Sequence, residues 1–139
     1  IVRRLVGSEM CIRDSLTSNS NVSQLIEWLK EGKTVLYGPD QDYRNKRSVV
    51  SKFFNKKCLT TTVPYTLKKV TKCKLIYLDF YKTLDGYKFI FQDISSIASS
   101  KQNFADNINA IIEQSVTKAP AHYLWHHRRF KSQAPEIYD

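Results

Sequence analysis

Asp85-Gly86 stands between two apolar runs, and no other dipeptide in the chain restricts the fold as strongly. Asp-Gly suits a two-residue hairpin turn, because its central residues must accept left-handed backbone angles. Before it, Lys74 to Lys82 alternates and then runs apolar through Leu75, Ile76, Tyr77, Leu78, Phe80 and Tyr81. After it, Tyr87 to Ile94 reads as the return strand. This predicts an antiparallel hairpin whose aromatic side chains are core.

The flanks supply helices. Asn21 or Ser20 can cap a helix in which Val22, Leu25, Ile26 and Leu29 recur at helical spacing, with Gly32 just past its end. Thr34 to Tyr37 is a short apolar run stopped by Gly38-Pro39, and is predicted to be a buried strand that ends in a loop. Thr60 to Cys73 is predicted as a helix with Val63, Leu67 and Val70 on one face. Asn103 is the expected cap of a last helix carrying Phe104, Ile108, Ile111, Ile112 and Val116, broken near Pro120. The order helix, strand, helix, hairpin, helix is that of an α/β protein with a mixed sheet. At 139 residues the chain suits one domain.

Several classes are excluded. A spanning helix needs ~20 mostly apolar residues, and charges interrupt every candidate stretch. Cys11, Cys58 and Cys73 are widely spaced with no C-x-x-C pair, so neither a zinc ribbon nor a redox motif is supported and no metal is expected. Residues 1–15, IVRRLVGSEMCIRDS, are not a secretory signal. Glu9 to Ser15 back-translates as GAG ATG TGT ATA AGA GAC AGC, which resembles a transposon end used to attach sequencing adaptors. Residues 1–15 are therefore expected to be adaptor-derived, and 16–139 to be the native part.

Charge narrows the partners. The chain has 22 Lys+Arg against 13 Asp+Glu, a formal net charge of +9. Ten of these cations fall between Arg44 and Lys74 with no acid among them. Such a block suits nucleic acid, anionic lipid head groups or an acidic protein, and equally a solvated surface.

No G-x-S-x-G, Walker, H-E-x-x-H or dinucleotide motif is present. His122 and His126 would share a helix face, but no third metal ligand lies near them. Pro39-Asp40-Gln41-Asp42 places two carboxylates on alternate residues after the expected strand, where open α/β sheets build sites. The same residues also suit a turn capped by Asp. Trp125 to Lys131 interleaves aromatics with cations: Arg128 and Arg129 could grip phosphate, or Trp125 and Phe130 could bury while the cations stay wet.

Two segments together carry a resemblance. The loop YGPDQDY (Tyr37 to Tyr43) and the ending APAHYLWHHRRFK (Ala119 to Lys131) are similar to the C-terminal half of the late acyltransferases of lipid A biosynthesis. The Thr-rich run Thr60-Thr61-Thr62 fits the same pattern. The resemblance covers Val22 to Lys131 and implies part of a mixed-sheet glycerolipid-acyltransferase-like fold. It implies transfer of a fatty acyl chain from acyl carrier protein to a hydroxyl of a lipid A precursor, with no further cofactor. The setting it implies is the anionic cytoplasmic face of a Gram-negative inner membrane. Asp40 matches the family's functional acid and is expected to act as an accessory catalytic residue. Asp42, His127, Arg128 and Arg129 are expected to bind substrate, and His122 takes no role.

Family members deprotonate the acceptor with a His and an acid in an H-x-x-x-x-D/E box. Here His122, His126 and His127 are followed five residues later by His127, Lys131 and Ser132, so the box is absent. The family's box lies upstream of the PDQD loop, so this chain is expected to be a fragment inactive alone. The sequence also departs near Arg44, where the family usually has Gly, and at Val50-Ser51-Lys52. Alternatives are a glycerophospholipid acyltransferase, which lacks the HRRFK ending, and a basic nucleic-acid-binding module. No nucleic-acid partner is expected, since no such motif appears.

Overall fold

The computed structural model describes residues 21–138. The expected adaptor segment 1–15, Cys11 and the alternative cap Ser20 lie outside the described residues. Helix α1 spans Val22–Lys30, and the Asn21 side chain accepts a hydrogen bond from the Gln24 backbone N–H at its start. Gly32 follows it at φ +82°, a left-handed angle that glycine adopts freely. Val22 and Leu25 are buried against Val63 and Leu67 of α2 (Val63–Thr71).

The four strands form two separate two-stranded antiparallel sheets: β1 (Ser48–Phe53) with β2 (Lys56–Thr61), and β3 (Ile76–Thr83) with β4 (Gly86–Asp93). Helix α3 (Lys101–Lys118) packs on the first sheet, and short 3₁₀ turns follow it at Pro120–His122 and Pro135–Tyr138. Phe104, Ile108, Ile112 and Val116 of α3 form the main core with Phe53, Cys58 and Ile94. The expected stripe on the last helix is thus the buried face, with Ile111 at its margin.

Five expectations need correction. Thr34 to Tyr37 is not a strand: among the described residues no backbone ladder pairs with it, although Val35 and Tyr37 turn inward and Leu36 outward. Thr60 and Thr61 belong to β2 rather than a helix. The helix starts only at Val63, after the Thr62 cap and with Pro64 in its first turn, and Val70 is half exposed. The last helix begins at Lys101, because the Ser100 hydroxyl caps the Asn103 N–H at 3.0 Å. In the β3–β4 hairpin Thr83 pairs with Gly86, so the turn's central residues are Leu84 and Asp85. Only part of its apolar set is core: Tyr77 packs on the main core, whereas Ile76, Leu78, Phe80, Tyr87, Phe89 and Phe91 are exposed.

The β1–β2 hairpin was not anticipated. Its turn residues Phe54 and Asn55 both take left-handed angles, φ 46° and 60°. Asn tolerates that region and Phe does not. Phe54 is held there by ring contacts, 4.8 Å to Phe53 and 6.5 Å to Trp125, and by its N–H donating to Glu113 Oε1 at 2.7 Å. The segment Arg44 to Lys74 therefore distributes its cations over a loop, a hairpin and α2.

Candidate active site

A groove of about 430 Å³ runs between residues 35–40, strand β3 and helix α3. Its floor is apolar: Phe104, Ile108, Ile112 and Val116 from one helix face, and Leu75 and Ile94 from the base of the second hairpin. These residues line it because α3 has more apolar face than the first sheet covers. Polar groups gather where Asp40, His122 and Tyr123 meet the wall.

Asp40 sits among phenols. Burial pushes the Tyr123 proton affinity far up, and the negative charge of Asp40 pushes it further. The Tyr123 hydroxyl is buried, and the Asp40 carboxylate acts on it both by charge and by a side-chain hydrogen bond. Its ring is held between Phe53, at 5.8 Å, and Trp125, edge-on at 5.0 Å. Tyr77 is likewise raised, first by burial, against a hydrogen bond it donates to Ser115 Oγ at 2.9 Å, with Asp79 and Asp40 adding to the rise. A carboxylate facing phenols that keep their protons can orient a hydroxyl or a carbonyl, and the apolar floor can take a long hydrocarbon.

Beneath the loop lies a polar lock joining two segments far apart in sequence. Asp42 is buried; its Oδ2 accepts the Ser132 backbone N–H at 2.8 Å, and its own backbone N–H donates to His127 Nε2 at 3.1 Å. Accepting at Nε2 requires a neutral ring with its proton on Nδ1. Arg44 reaches the same segment, donating to Ser132 Oγ at 2.6 Å and to the Lys131 carbonyl at 3.3 Å.

Arg129 is only 2% exposed. Its NH groups donate to the carbonyls of Gln41 and Leu59, to Thr60 Oγ1 at 2.9 Å and to Asn109 Oδ1 at 3.2 Å. The guanidinium also lies 5.8 Å from the Phe53 ring centre. The resemblance implied a glycolipid or phosphate contact for Arg129; the structure places it inside, with its NH₂ groups engaged by protein oxygens. Arg128 is exposed and stacks over Tyr138 at 5.5 Å.

The structure thus joins Asp42, His127 and Arg129 in one lock and sets Asp40 apart at the groove. Sequence reasoning missed Asn109, which is fully buried and donates to Thr60 Oγ1 and the Lys52 carbonyl, both at 2.9 Å. A signal existed: Asn109 is the one polar residue beside Ala105, Ile108 and Ile112 on the buried stripe of α3. Tyr123 carried no signal apart from its place in the closing motif. Cys58 is a buried free thiol and Cys73 a partly buried one. His122 and His126 share no helix, since the 3₁₀ turn ends at His122. Among the described residues no group of His, Cys, Asp and Glu could hold a metal.

Comparison with known proteins places these features. Residues 2–132 match the family described as bacterial lipid A biosynthesis acyltransferase, a span that includes most of the segment read above as adaptor-derived. The lipid A biosynthesis palmitoleoyltransferase of Escherichia coli K12 is 31% identical over 123 residues, 86% of this chain and 40% of that protein. The lipid A biosynthesis lauroyltransferase of the same strain is 30% identical over 124 residues, 86% and 40% of the two chains. The lipid A biosynthesis acyltransferase of Haemophilus influenzae is 30% identical over 125 residues, covering 83% and 40%. The chain spans about 40% of the length of these relatives. With the acidic loop and the closing basic motif locked to one another beside an apolar groove, this chain belongs to the bacterial lipid A biosynthesis acyltransferase family.

Proposed function

We propose that this chain supplies the acyl-chain groove and the acid-bearing loop of an enzyme that moves a fatty acyl group from acyl carrier protein to a hydroxyl of a lipid A precursor. The observation that carries the reading is the apolar groove closing on Asp40 in a member of this family. The acceptor oxygen attacks the thioester carbonyl, the C–S bond breaks, and the hydroxyl proton passes through a base to the departing thiolate. The chain's own part is to house the hydrocarbon and orient the reacting ends. Asp40 is the accessory catalytic residue. Asp42, His127 and Arg129 position the loop that carries it, and Arg128 is the exposed cation of the closing motif available to an anionic head group. The base belongs to an H-x-x-x-x-D/E box that this sequence does not contain.

The same reading puts the enzyme at the cytoplasmic face of a Gram-negative inner membrane; no described helix is long and apolar enough to cross one. Mass-spectrometric detection of acylated precursor tests it. The 139-residue chain alone should give no product, since the missing base is worth about 10²–10⁴-fold. In an intact enzyme carrying these residues, Asp40→Asn should lower kcat well below Asp42→Asn. Near-wild-type turnover for both variants would reduce the loop to a structural turn.

A further inference from the structure

The turn end of the β1–β2 hairpin combines three features that the fold itself does not need. Lys52 stands directly opposite Lys57 in the register, and both are exposed. Like charges in facing positions destabilise a ladder, and among the described residues neither lysine is ion-paired. Phe54 keeps a left-handed φ of 46°, where Gly or Asn would sit with less strain, and its ring is 40% exposed. The Trp125 ring lies 6.5 Å from it and is 53% exposed, and Leu124, next to Trp125 in sequence, is 66% exposed.

The exposed surface of these rings is apolar. The indole N–H of Trp125 already donates to the Pro120 carbonyl at 2.7 Å, so the ring needs no polar partner outside. Lys56, next to the turn, is exposed as well, which brings three cations to this end of the hairpin. Glu113 is an acid in contact with it, and its Oε1 is engaged by the Phe54 N–H at 2.7 Å. Phe54, Leu124 and Trp125 do not line the acyl-chain groove, although Trp125 packs edge-on against Tyr123 at the groove's polar end.

We propose that this end is a lipid-docking tip: Phe54, Leu124 and Trp125 enter the interface of an anionic bilayer while Lys52, Lys56 and Lys57 lie among its head groups. The charge pattern chooses the occupant. Aromatic and aliphatic side chains with cations beside them match a membrane interface, where lysine stems run along the apolar layer and their ammonium groups stay with phosphate. An anionic surface also relieves the repulsion between Lys52 and Lys57. An acidic protein would satisfy the lysines, but three apolar side chains are few beside the roughly 20–30 residues that each partner brings to a stable interface. The inference rests on the membrane setting proposed above and on neither the donor nor the acceptor.

Lipid quenching tests it. Trp28→Phe leaves Trp125 as the sole indole of the chain. Phosphatidylglycerol vesicles with brominated acyl chains should quench its emission, brominated phosphatidylcholine vesicles should quench it far less, and the quenching should shrink as salt is added. Lys52→Glu separates docking from folding, because it turns a repulsive cross-strand pair into an attractive one. It should raise the urea midpoint while lowering vesicle affinity roughly tenfold. Phe54→Gly frees the left-handed angle and should lower affinity to a similar extent. Lys69→Glu, the same charge change on exposed α2, should lower it much less. If Trp28→Phe does not fold, sedimentation of the chain with vesicles makes the same comparison. Absence of quenching, or equal losses for Lys52→Glu and Lys69→Glu, would overturn the proposal. In the second case vesicle binding itself persists, so the membrane setting stands and only the tip falls. Binding to soluble polyglutamate without quenching by lipid would also overturn it, and would assign the lysines to an acidic protein. Acyl transfer by an intact enzyme, measured as above, judges the enzyme reading independently.

Discussion

Removing the Arg129 guanidinium would strand four acceptors at once: the Gln41 and Leu59 carbonyls, Thr60 Oγ1 and Asn109 Oδ1. Each buried unsatisfied group costs about 1–3 kcal/mol, and the sum is not fully additive. Arg129→Ala is therefore expected to destabilise the chain by about 3–5 kcal/mol in urea unfolding. Arg129→Lys should recover little of this, because a compact ammonium cannot span carbonyls on two segments as a planar fork does. A loss under about 1 kcal/mol for the alanine variant would show that the lock is incidental. The basic ending thus contains two kinds of arginine one residue apart, one spent inside and one outside. Nothing in the tripeptide His127-Arg128-Arg129 distinguishes them; the distinction comes from Asn109, 20 residues away.

At the scale of elements, Lys72 ends α2 in the left-handed conformation at φ 61°, its N–H bonded to the Lys68 carbonyl at 2.8 Å. Glycine carries no Cβ penalty there, so Lys72→Gly should stabilise the chain by about 0.5–1 kcal/mol, read as a rise in the unfolding midpoint. A fall in the midpoint would mean that the Lys72 side chain contributes more than the backbone strain costs. Elements were legible in the sequence where local chemistry decided them. The Asn21 cap, the buried stripe of α3 and the existence of the second hairpin all follow from spacing and turn residues. The β1–β2 hairpin was hidden because its turn, Phe54-Asn55, has no glycine and is stabilised by tertiary contacts with Trp125 and Glu113. The Thr60 to Thr62 run reads as the start of the following helix because β-branched residues beside a helical pattern do not mark where a strand stops. Thr34 to Tyr37 has a strand's composition without a strand's partner. Of the candidate site, the acidic loop and closing motif were visible as motifs, but their mutual lock was not, since no short-range pattern encodes it.

Across the whole molecule, four partly buried phenols and one buried thiol set the alkaline limit. Tyr37, Tyr43, Tyr77 and Tyr123 are all raised above 10.0, each chiefly by burial, and the Cys58 thiol is raised above 9.0 for the same reason. A group held neutral in the folded state contributes stability that is complete below its unfolded pKa. That contribution is lost as pH rises through the folded value. Stability should therefore stay level, as far as these groups govern it, to about pH 9 and decline above it. The decline should be shallower in Tyr123→Phe, followed by denaturant melts at stepped pH. An unchanged decline in that variant would remove Tyr123 from the account.

The hydrogen bond from Ser132 to Asp42 spans 90 residues of chain. Closing so long a loop costs little extra free energy, since each doubling of length adds only ~0.6 kcal/mol, but it imposes an order in time. At ~5–20 residues per second, the ribosome delivers Ser132 roughly 5–18 s after Asp42. For most of that interval Asp42 has neither Ser132 nor His127 to bind, and Arg129 has not been made to reach Gln41. The acidic loop consequently takes its final path only after residues 85 to 90 positions further along the chain have been made, however early Asp40 and Asp42 themselves emerge.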